Sequence, residues 1–454
     1  MLIKKLLYIF QLENYEIGRF LRFAYSHWRW HELERRGSLV WTGKAKLLSF
    51  LSISLFILTL IFAFKIYGLG ATFIIPALIL FLPLIVAISS LIIKPIEIYL
   101  KQKKIGKAKS TLDKYRKHLV IIAIGGSYGK TSTKEILFRI LSVKYQVFKF
   151  DGNINTDIGI AQAIIEREDD ISRAEVLIVE MGAFRRGDLH KICYFIQPDY
   201  SILTGINEAH LERFGTLENI IEAKFELAVA TKKITVLNYD DDNIKKNVNN
   251  FRIGEVIGVT NKGIKIKEKD NFEGLLFQID ERWFETKLLA KHSVDLILAC
   301  IEIAKILQIS LNEIFVAVSQ LEYTSHRLEL IRSNGVFIID DSYNGNIKGF
   351  ESGIEVLSRA KGRKIVLTAG LVEQGGQKKE LHIKIGRLYA RNMVDLVMLI
   401  RNSVSGNIIE GMKVGGANNC RIYESASEAH ADLTNILEPG DTIIFLNDWS
   451  DNYY

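Results

Sequence analysis

A glycine-rich turn followed by a lysine and a threonine lies near residue 130, and this order of residue types can bind a nucleoside triphosphate. Residues 123–134 read A-I-G-G-S-Y-G-K-T-S-T-K. Gly126 and Gly129 permit tight turning and close approach of the backbone to phosphate. Lys130 can neutralise the terminal phosphates, and the Thr131 hydroxyl can hold a magnesium ion. A glycine-rich turn with a solvated lysine is the alternative interpretation.

The residues on either side of this turn predict the elements that a phosphate-binding loop needs. Three β-prone residues at positions 120–122 precede it, and a helical pattern at 135–138 follows. A helix that starts at the loop directs its positive end toward a bound anion. Ser127 and Ser132 complete the set of residues that we expect to contact the nucleotide.

Beyond residue 117, short β-rich runs alternate with helical patterns, which predicts an α/β chain with a mostly parallel sheet. The β-rich runs of the first half are residues 176–179, 200–203 and 234–237. Short alternating stretches predict a small antiparallel insertion over residues 253–290. A second α/β unit begins near Val336. The predicted domains are a central nucleotide-binding domain over 117–322 and a C-terminal Rossmann-like domain over 323–454.

Two long uncharged stretches, residues 47–64 and 66–93, precede the α/β region. Each is long enough to cross a hydrocarbon core of about 30 Å. Lysines and arginines flank both, so the positive-inside rule places the flanks and the following domains in the cytoplasm. The prediction is a transmembrane helical hairpin over 44–94, a multi-pass anchor in the cytoplasmic membrane, with a basic juxtamembrane linker over 95–116. Two buried helices of a soluble protein are the alternative.

The first 43 residues combine aromatic and basic side chains, which is typical of an amphipathic segment at a membrane interface; packing on the catalytic domain is the alternative. The net charge of +7 comes without the interleaved aromatic residues that favour nucleic-acid binding, so we expect no nucleic-acid partner. Cys193, Cys300 and Cys420 have neither metal-site spacing nor a disulfide pattern, which fits a reducing compartment.

Polar residues also follow two of the predicted strands. Glu180 ends the run at 176–179, and His210 follows the run at 200–203. Open parallel sheets bind ligands at the carboxyl ends of their strands, so Glu180 and His210 are expected near the metal held by Thr131. Taken singly, they also fit a surface carboxylate and an ordinary hydrogen-bonded histidine.

Five phrases, taken in order, resemble the Mur ligase superfamily, and within it the ligases that add D-alanyl-D-alanine to a muramoyl peptide. They are G-S-Y-G-K-T from residue 126, V-E-M-G-A from 179, A-H-L-E-R-F-G-T-L-E from 209 with E-A-K from 222, H-R-L-E from 326, and D-D-S-Y-N-G-N from 340. The resemblance implies ATP-dependent amide formation through an acyl phosphate in peptidoglycan precursor synthesis. ATP and Mg²⁺ are the implied cofactors. A cell-wall carboxylate and an amino acid or dipeptide are the implied substrates.

The resemblance also assigns roles to residues. Lys130, Lys224 and His210 would be catalytic; Thr131 and Glu180 would hold one magnesium ion, and His210 with a carbamylated Lys224 a second. The remaining implied contacts are His292, Arg327 and Asp341 to the nucleotide, and Asn153, Asn155, Tyr343, Asn344 and Asn346 to substrate. The C-terminal domain would close over the site as a lid.

The chain departs from the family pattern at several positions. Tyr128 stands where the phosphate loop usually has asparagine, and Leu296 where the nucleotide-contacting helix often has asparagine. The apolar hairpin takes the place of the family's uridine-nucleotide-binding domain, which leaves open whether the carboxylate substrate is soluble or membrane-bound. A poly-γ-glutamate-type ligase and a nucleotide-binding membrane scaffold without ligase activity are the alternative functions.

Overall fold

The computed structural model describes residues 2–26, 39–68, 70, 72, 75–209, 211–343, 345–371 and 375–447, without the side chains of residues 75–77 and Glu212. The chain forms two compact units. The smaller unit comprises the residues up to Lys103, and the larger unit runs from Lys104 to residue 450.

The smaller unit is helical. Its helices are α1 (Leu2–Leu12), α2 (Ile17–Ser26), α3 (Gly43–Tyr67), α4 (Ile75–Leu80) and the first part of α5 (Leu82–Tyr115). The apolar faces of α1 and α2 share one core with α3 and α5, and the rings of Phe10 and Phe20 lie 4.6 Å apart within it. The Ser52 hydroxyl of α3 donates to the Ser89 hydroxyl of α5 at 3.1 Å. Helices α1 and α2 of the N-terminal segment therefore pack on the apolar helices.

Two helices of the described residues, α3 and α5, are long and apolar enough to cross a bilayer by length and composition. Large apolar side chains of α3 point outward: Phe50 is 68% and Phe62 65% exposed. The second apolar stretch was predicted as one span over 66–93, but it is divided between α4 and α5. Pro83 explains the division, because it lacks an N–H to continue a helix from α4 and is tolerated in the first turn of α5. The predicted basic linker is helical as far as Tyr115.

The central domain is built on a six-stranded parallel sheet with the order β2-β3-β1-β4-β5-β6. Its strands are β1 (Val120–Gly125), β2 (Val147–Lys149), β3 (Val176–Glu180), β4 (Tyr200–Leu203), β5 (Ile234–Asn238) and β6 (Glu255–Val259). Its helices are α6 (Lys130–Leu141), α7 (Asp157–Glu166), α8 (Glu168–Arg173), α9 (Asp188–Ile196), α10 (Leu211–Phe214), α11 (Leu217–Ala230), α12 (Asp242–Asn247), α13 (His292–Ile306) and α14 (Leu311–Ser319). A 3-10 turn, Val248–Asn250, follows α12.

Both faces of this sheet are covered by helices. Successive residues of a strand point to opposite faces, so Ile121 packs in the core under α7, α9 and α11, and Ile122 in the core under α6, α13 and α14. Burial on both faces explains why the strands read as continuous apolar runs. The predicted α/β class and the parallel arrangement are confirmed.

The predicted antiparallel insertion begins later than expected. Residues 255–259 were included in it, but they form β6, which pairs in parallel with β5. The strand lies at the sheet edge and only Val259 of its five residues is buried, so its sequence resembles a half-exposed antiparallel strand. The insertion itself is the antiparallel sheet of β7 (Ile266–Glu268), β8 (Leu275–Ile279) and β9 (Arg282–Thr286), with a 3-10 turn at Asp270–Phe272.

The C-terminal domain contains a second six-stranded sheet, with the order β10-β11-β15-β12-β13-β14. Only the β10–β11 pair of this sheet is antiparallel. The strands are β10 (Glu329–Ser333), β11 (Val336–Asp341), β12 (Lys364–Gly370), β13 (Leu396–Ile400), β14 (Cys420–Tyr423) and β15 (Thr442–Asn447). The helices are α15 (Ile347–Ser358), α16 (Lys378–Arg391), α17 (Ser405–Val414) and α18 (Ala426–Ile436), with a 3-10 turn at Gly375–Gln377.

Candidate nucleotide and metal site

The predicted phosphate loop lies between β1 and α6, at the carboxyl end of the central sheet. Gly126 has a φ of 143° and Gly129 a φ of 75°, which are conformations that favour glycine. A Cβ on Gly126 would lie 2.1 Å from the Thr204 hydroxyl oxygen. The Ser127 N–H donates to the Gly205 carbonyl at 2.7 Å, so the loop is held against the segment that follows β4.

Lys130 is the first residue of α6, and its side chain curves back over the loop. Its ammonium donates to the Gly126 carbonyl at 3.0 Å. Burial lowers the pKa of Lys130, Glu180 opposes this shift, and the positive charge of Arg327 adds to it. Lys130 and Arg327, which come from different domains, are therefore close enough to interact and could face the same polyphosphate.

Thr131 and Glu180 meet as the sequence predicted. The Thr131 hydroxyl donates to Glu180 Oε2 at 3.0 Å, and the Asn155 amide donates to Glu180 Oε1 at 3.3 Å. Asn155 also bonds the exposed Asn153 at 2.8 Å, which connects the 151–156 loop to the same carboxylate. Helix α6 and the 151–156 loop therefore converge on Glu180 of β3.

Lys134, which sequence reasoning missed, is the buried partner of Glu180. Its Nζ lies 3.5 Å from Glu180 Oε2, and both side chains are 2% exposed. It also donates to the Gly152 carbonyl at 2.8 Å. The spacing of four residues from Lys130 was the available signal, because residues i and i+4 share one face of a helix.

Lys224 is buried in α11, with its Nζ donating to the Ala183 carbonyl at 3.3 Å and lying 5.7 Å from the centre of the Phe214 ring. Burial and, to a smaller extent, the charge of Lys130 lower the pKa of Lys224 to about 7, while Asp188 and Glu226 act in the opposite direction. Near neutral pH a large fraction of this amine is uncharged and nucleophilic. A surface helix lysine would not have this property.

The site residues predicted in the C-terminal domain lie on the side of that domain that faces Lys130. The Arg327 guanidinium lies 4.9 Å from the centre of the Tyr343 ring. Burial raises the pKa of Asp341 to about 7, and the charge of Arg327 opposes that shift. Arg327 thus lies near Asp341 of its own domain and near Lys130 of the central domain, and the two like charges repel unless an anion lies between them.

Two further predicted residues lie where the domains meet. Asn346 caps α15 by accepting from the Gly349 N–H at 3.1 Å, and it accepts from the Asn207 amide of the central domain at 3.2 Å. His292, the first residue of α13, has its Nδ1 3.0 Å from the Ser352 hydroxyl of α15. Burial lowers the pKa of His292 to about 4, so its imidazole is neutral at physiological pH.

The remaining predictions have different outcomes. Ser127 and Ser132 lie partly covered at the loop and in the first turn of α6. His210 and Asn344 fall outside the described residues, so their predicted roles stay predictions. Sequence reasoning also missed Asp241 and Lys348, which contact Tyr128; the signal for Asp241 was its position just beyond the carboxyl end of β5.

The donor atoms around Glu180 fit a magnesium ion. Magnesium prefers oxygen ligands, and the Thr131 hydroxyl and the Glu180 carboxylate present two of them 3.0 Å apart. The neighbouring Lys134 ammonium, 3.5 Å from Glu180 Oε2, supplies an opposite charge for a carboxylate that would be costly to bury unpaired. A nucleotide phosphate and water would supply the other ligands, since magnesium is bound through few protein groups.

Fold and site together define an α/β protein with a phosphate-loop motif, whose second sheet domain contacts the central domain near that loop. The Mur ligase middle domain matches residues 124–304, and the Mur ligase glutamate ligase domain matches residues 326–446. The chain belongs to the Mur ligase family. The resemblance predicted from the five phrases is confirmed.

Individual relatives agree with this assignment. The chain is 28% identical to UDP-N-acetylmuramoyl-tripeptide--D-alanyl-D-alanine ligase of Bacillus subtilis over 61% of its own length and 62% of the relative's. It is 30% identical to the ligase of the same name from Borreliella burgdorferi over 50% of each chain. It thus spans half to three fifths of these relatives. The crystal structure of MurF ligase from Thermotoga maritima in complex with ADP superposes with a TM-score of 0.67 at 27% identity, covering 77% of this chain and 80% of that one.

Proposed function

We propose that this protein is an ATP-dependent amide ligase that joins a cell-wall carboxylate precursor to an amino acid or dipeptide through an acyl phosphate. The observation that carries the proposal is the convergence of Lys130, Thr131 and Glu180 at the carboxyl end of the central sheet, with Arg327 of the second domain close to Lys130. These groups neutralise and position a triphosphate.

The reaction divides into two displacements. A substrate carboxylate oxygen attacks the γ-phosphorus, ADP leaves, and an acyl phosphate forms. The amine nitrogen then attacks the acyl carbon, phosphate leaves, and the nitrogen releases a proton. Lys130 and Arg327 balance the negative charge that moves among the phosphate oxygens. Thr131 and Glu180 would hold a magnesium ion, which neutralises phosphate charge when bound.

A second lysine, Lys224, lies close to Lys130 and adds a further group to the proposed site. Lys224 lies near enough to Lys130 for their charges to repel, and its amine is partly neutral. Carbamylation would convert that amine into a carboxylate-like anion beside Lys130. In our proposal this anion and His210 hold a second magnesium ion. The anion would be attracted by the same charge that destabilises the ammonium.

The names of two relatives support a choice of substrates for the test. Those from B. subtilis and B. burgdorferi are named for joining D-alanyl-D-alanine to UDP-N-acetylmuramoyl-tripeptide. We therefore take D-alanyl-D-alanine as the amine of the first assay, with nucleotide-linked and lipid-linked muramoyl peptides as alternative carboxylates. The segment around Asn153 and Asn155, which reaches Glu180, would bind the carboxylate substrate, and the loop with Tyr343, Asn344 and Asn346 would complete the substrate site.

The test is ADP formation by the detergent-solubilised full chain. We expect ADP release to require both a muramoyl peptide and D-alanyl-D-alanine, and the product to contain the new amide by mass spectrometry. L-glutamate in place of the dipeptide separates this proposal from a poly-γ-glutamate-type ligase. ATP binding without amine-dependent ADP release in any combination would instead indicate a scaffold.

We further propose that α3 and α5 anchor the enzyme in the cytoplasmic membrane. Their outward-facing apolar side chains, including Phe50 and Phe62, support this arrangement, because contiguous apolar surface of this kind is rare on soluble proteins. The basic residues before the first apolar stretch and after the second favour a cytoplasmic location for the catalytic domains.

This topology predicts opposite labelling of two cysteine variants. Gly68 caps the C-terminus of α3 with a φ of 55°, and Gly106 lies in the basic part of α5. No atom would clash with a Cβ at either position, so a cysteine at Gly68 meets backbone strain alone. In intact cells an impermeant thiol reagent should label Gly68→Cys and leave Gly106→Cys unlabelled. Permeabilised cells provide the control, since both should then react. Labelling of Gly106→Cys alone in intact cells would show that the hairpin has the opposite orientation.

A further inference from the structure

One cluster links the phosphate loop to the C-terminal domain through a tyrosine, an aspartate and a lysine. The Tyr128 hydroxyl donates to Asp241 Oδ2 at 2.7 Å. The Lys348 ammonium donates to the same oxygen at 3.1 Å and to the Tyr128 hydroxyl at 3.2 Å. We call these three residues the domain latch, because they come from the phosphate loop, the start of α12 and the start of α15.

Asp241 is the fixed point of the domain latch. Its side chain is fully buried. Its Oδ1 accepts from the N–H groups of Asn243 and Ile244 at the start of α12, and its Oδ2 accepts from the Ile206 N–H at 3.1 Å. Backbone groups of the central domain therefore hold this carboxylate in place whether or not Lys348 is present.

Tyr128 transmits the position of Asp241 to the phosphate loop. Its ring lies so close to Gly205 that a Cβ there would be 2.1 Å from the ring carbon Cζ. Burial raises the pKa of the Tyr128 hydroxyl, and the charge of Asp241 adds to the shift, so the hydroxyl remains a donor. The loop between Ser127 and Gly129 is thus connected rigidly to the buried carboxylate.

Lys348 carries a positive charge at the N-terminus of its own helix, α15, where a positive charge is unfavourable. It is the second residue of α15, and a cation at a helix N-terminus interacts unfavourably with the helix dipole. Its ammonium instead reaches across to the central domain and lies 5.1 Å from the centre of the Tyr128 ring. The partners that compensate this unfavourable position therefore belong to the other domain.

We propose that the domain latch holds the C-terminal domain against the phosphate loop, so that closure of the domain and occupancy of the loop are energetically coupled. Its three members are positioning residues: they set where the loop and Arg327 lie relative to each other. By linkage, whatever favours closure strengthens nucleotide binding by the same factor. The coupling between closure and nucleotide binding rests on the proposed function, whereas the contact of Lys348 with Asp241 and Tyr128 is independent of it.

The test measures the distance between the two domains in the full chain. Spin labels are attached at Val316→Cys and Met393→Cys, which are exposed positions in the central and C-terminal domains, in a Cys420→Ser background. The native Cys193 and Cys300 are buried. Lys348→Met removes the charge and keeps the aliphatic chain, and Tyr128→Phe removes only the hydroxyl. Lys384→Met is the matched control, because Lys384 forms an exposed ion pair with Glu351 within the C-terminal domain.

We expect Lys348→Met to lower the closed-to-open ratio about tenfold without nucleotide, Tyr128→Phe to lower it less, and Lys348→Arg to restore most of it. Lys384→Met should match the wild type. With a non-hydrolysable ATP analogue, the affinity of Lys348→Met should fall in proportion to its lost closure. Identical distance distributions for Lys348→Met and wild type, or an equal shift in Lys384→Met, would overturn the domain latch. If Lys348→Met changes the distance between the domains but the ATP analogue does not bind the wild-type protein, the domain latch stands and only the proposed function is contradicted.

Discussion

Replacing Lys130 with methionine should reduce ADP formation about a thousandfold or more while the protein stays folded. Losing one group that stabilises developing charge at a transition state commonly costs two to three orders of magnitude, and phosphoryl transfer relies almost entirely on such groups. Methionine fills a similar volume, and it removes the bond to the Gly126 carbonyl and the attraction between the Lys130 charge and Glu180. The measurement is steady-state ADP release, with circular dichroism spectra and melting curves to verify the fold.

The matched control for this experiment is Lys246→Met. Lys246 lies on the exposed side of α12, 4.0 Å from Asp242, and surface ion pairs of this kind contribute little. Its turnover should equal that of the wild type. A folded Lys130→Met protein that ligates at the wild-type rate would remove the phosphate loop from the mechanism.

Much of the phosphate-loop geometry could be predicted because its determinants are local. The backbone of Gly126 and Gly129 adopts positive φ angles, β-prone residues precede them, and Lys130 starts a helix. The meeting of Thr131 with Glu180 also followed from sequence, since both lie at the carboxyl edge of a parallel sheet. Local chemistry and one topological rule were sufficient.

Other features depend on partners that are distant in sequence. Lys134 looks like a solvated helix residue until β3 is placed beside α6, where it becomes the buried partner of Glu180. Nothing near Lys348 in the sequence indicates Asp241, which is 107 residues away. The assignment of residues 255–259 was wrong for a related reason, because strand direction is set by the neighbouring strand and not by the pattern within an edge strand.

The second large effect is expected at Lys224. Lys224→Ala should lower the turnover number about a hundredfold or more with a smaller change in the KM for ATP, because the group would act on charge that develops in the reaction. Lys224→Glu, or the alanine variant supplied with a short carboxylic acid, should recover part of the rate. Lys233→Ala is the matched control, since this lysine lies at the surface between α11 and β5.

The pKa of Lys224 sets the pH at which carbamylation is possible. The nitrogen of the neutral amine attacks the carbon of CO₂, and the product loses a proton. Burial lowers the pKa to about 7, so the reactive neutral form predominates above pH 7 and is lost as the pH falls below it. After CO₂ depletion, bicarbonate should therefore restore activity more completely at pH 8 than at pH 6.

A direct observation separates carbamylation from a purely structural role. With ¹³C-bicarbonate, the wild-type protein should give a carbamate carbon resonance that is absent from Lys224→Ala and present in Lys233→Ala. The buried ammonium is destabilised by Lys130, and a carbamate anion at the same place would be stabilised by it, so Lys130→Met should weaken the resonance. Wild-type kinetics for Lys224→Ala over a range of bicarbonate and magnesium concentrations would exclude Lys224 from the metal site and leave Thr131 and Glu180 as the predicted ligands.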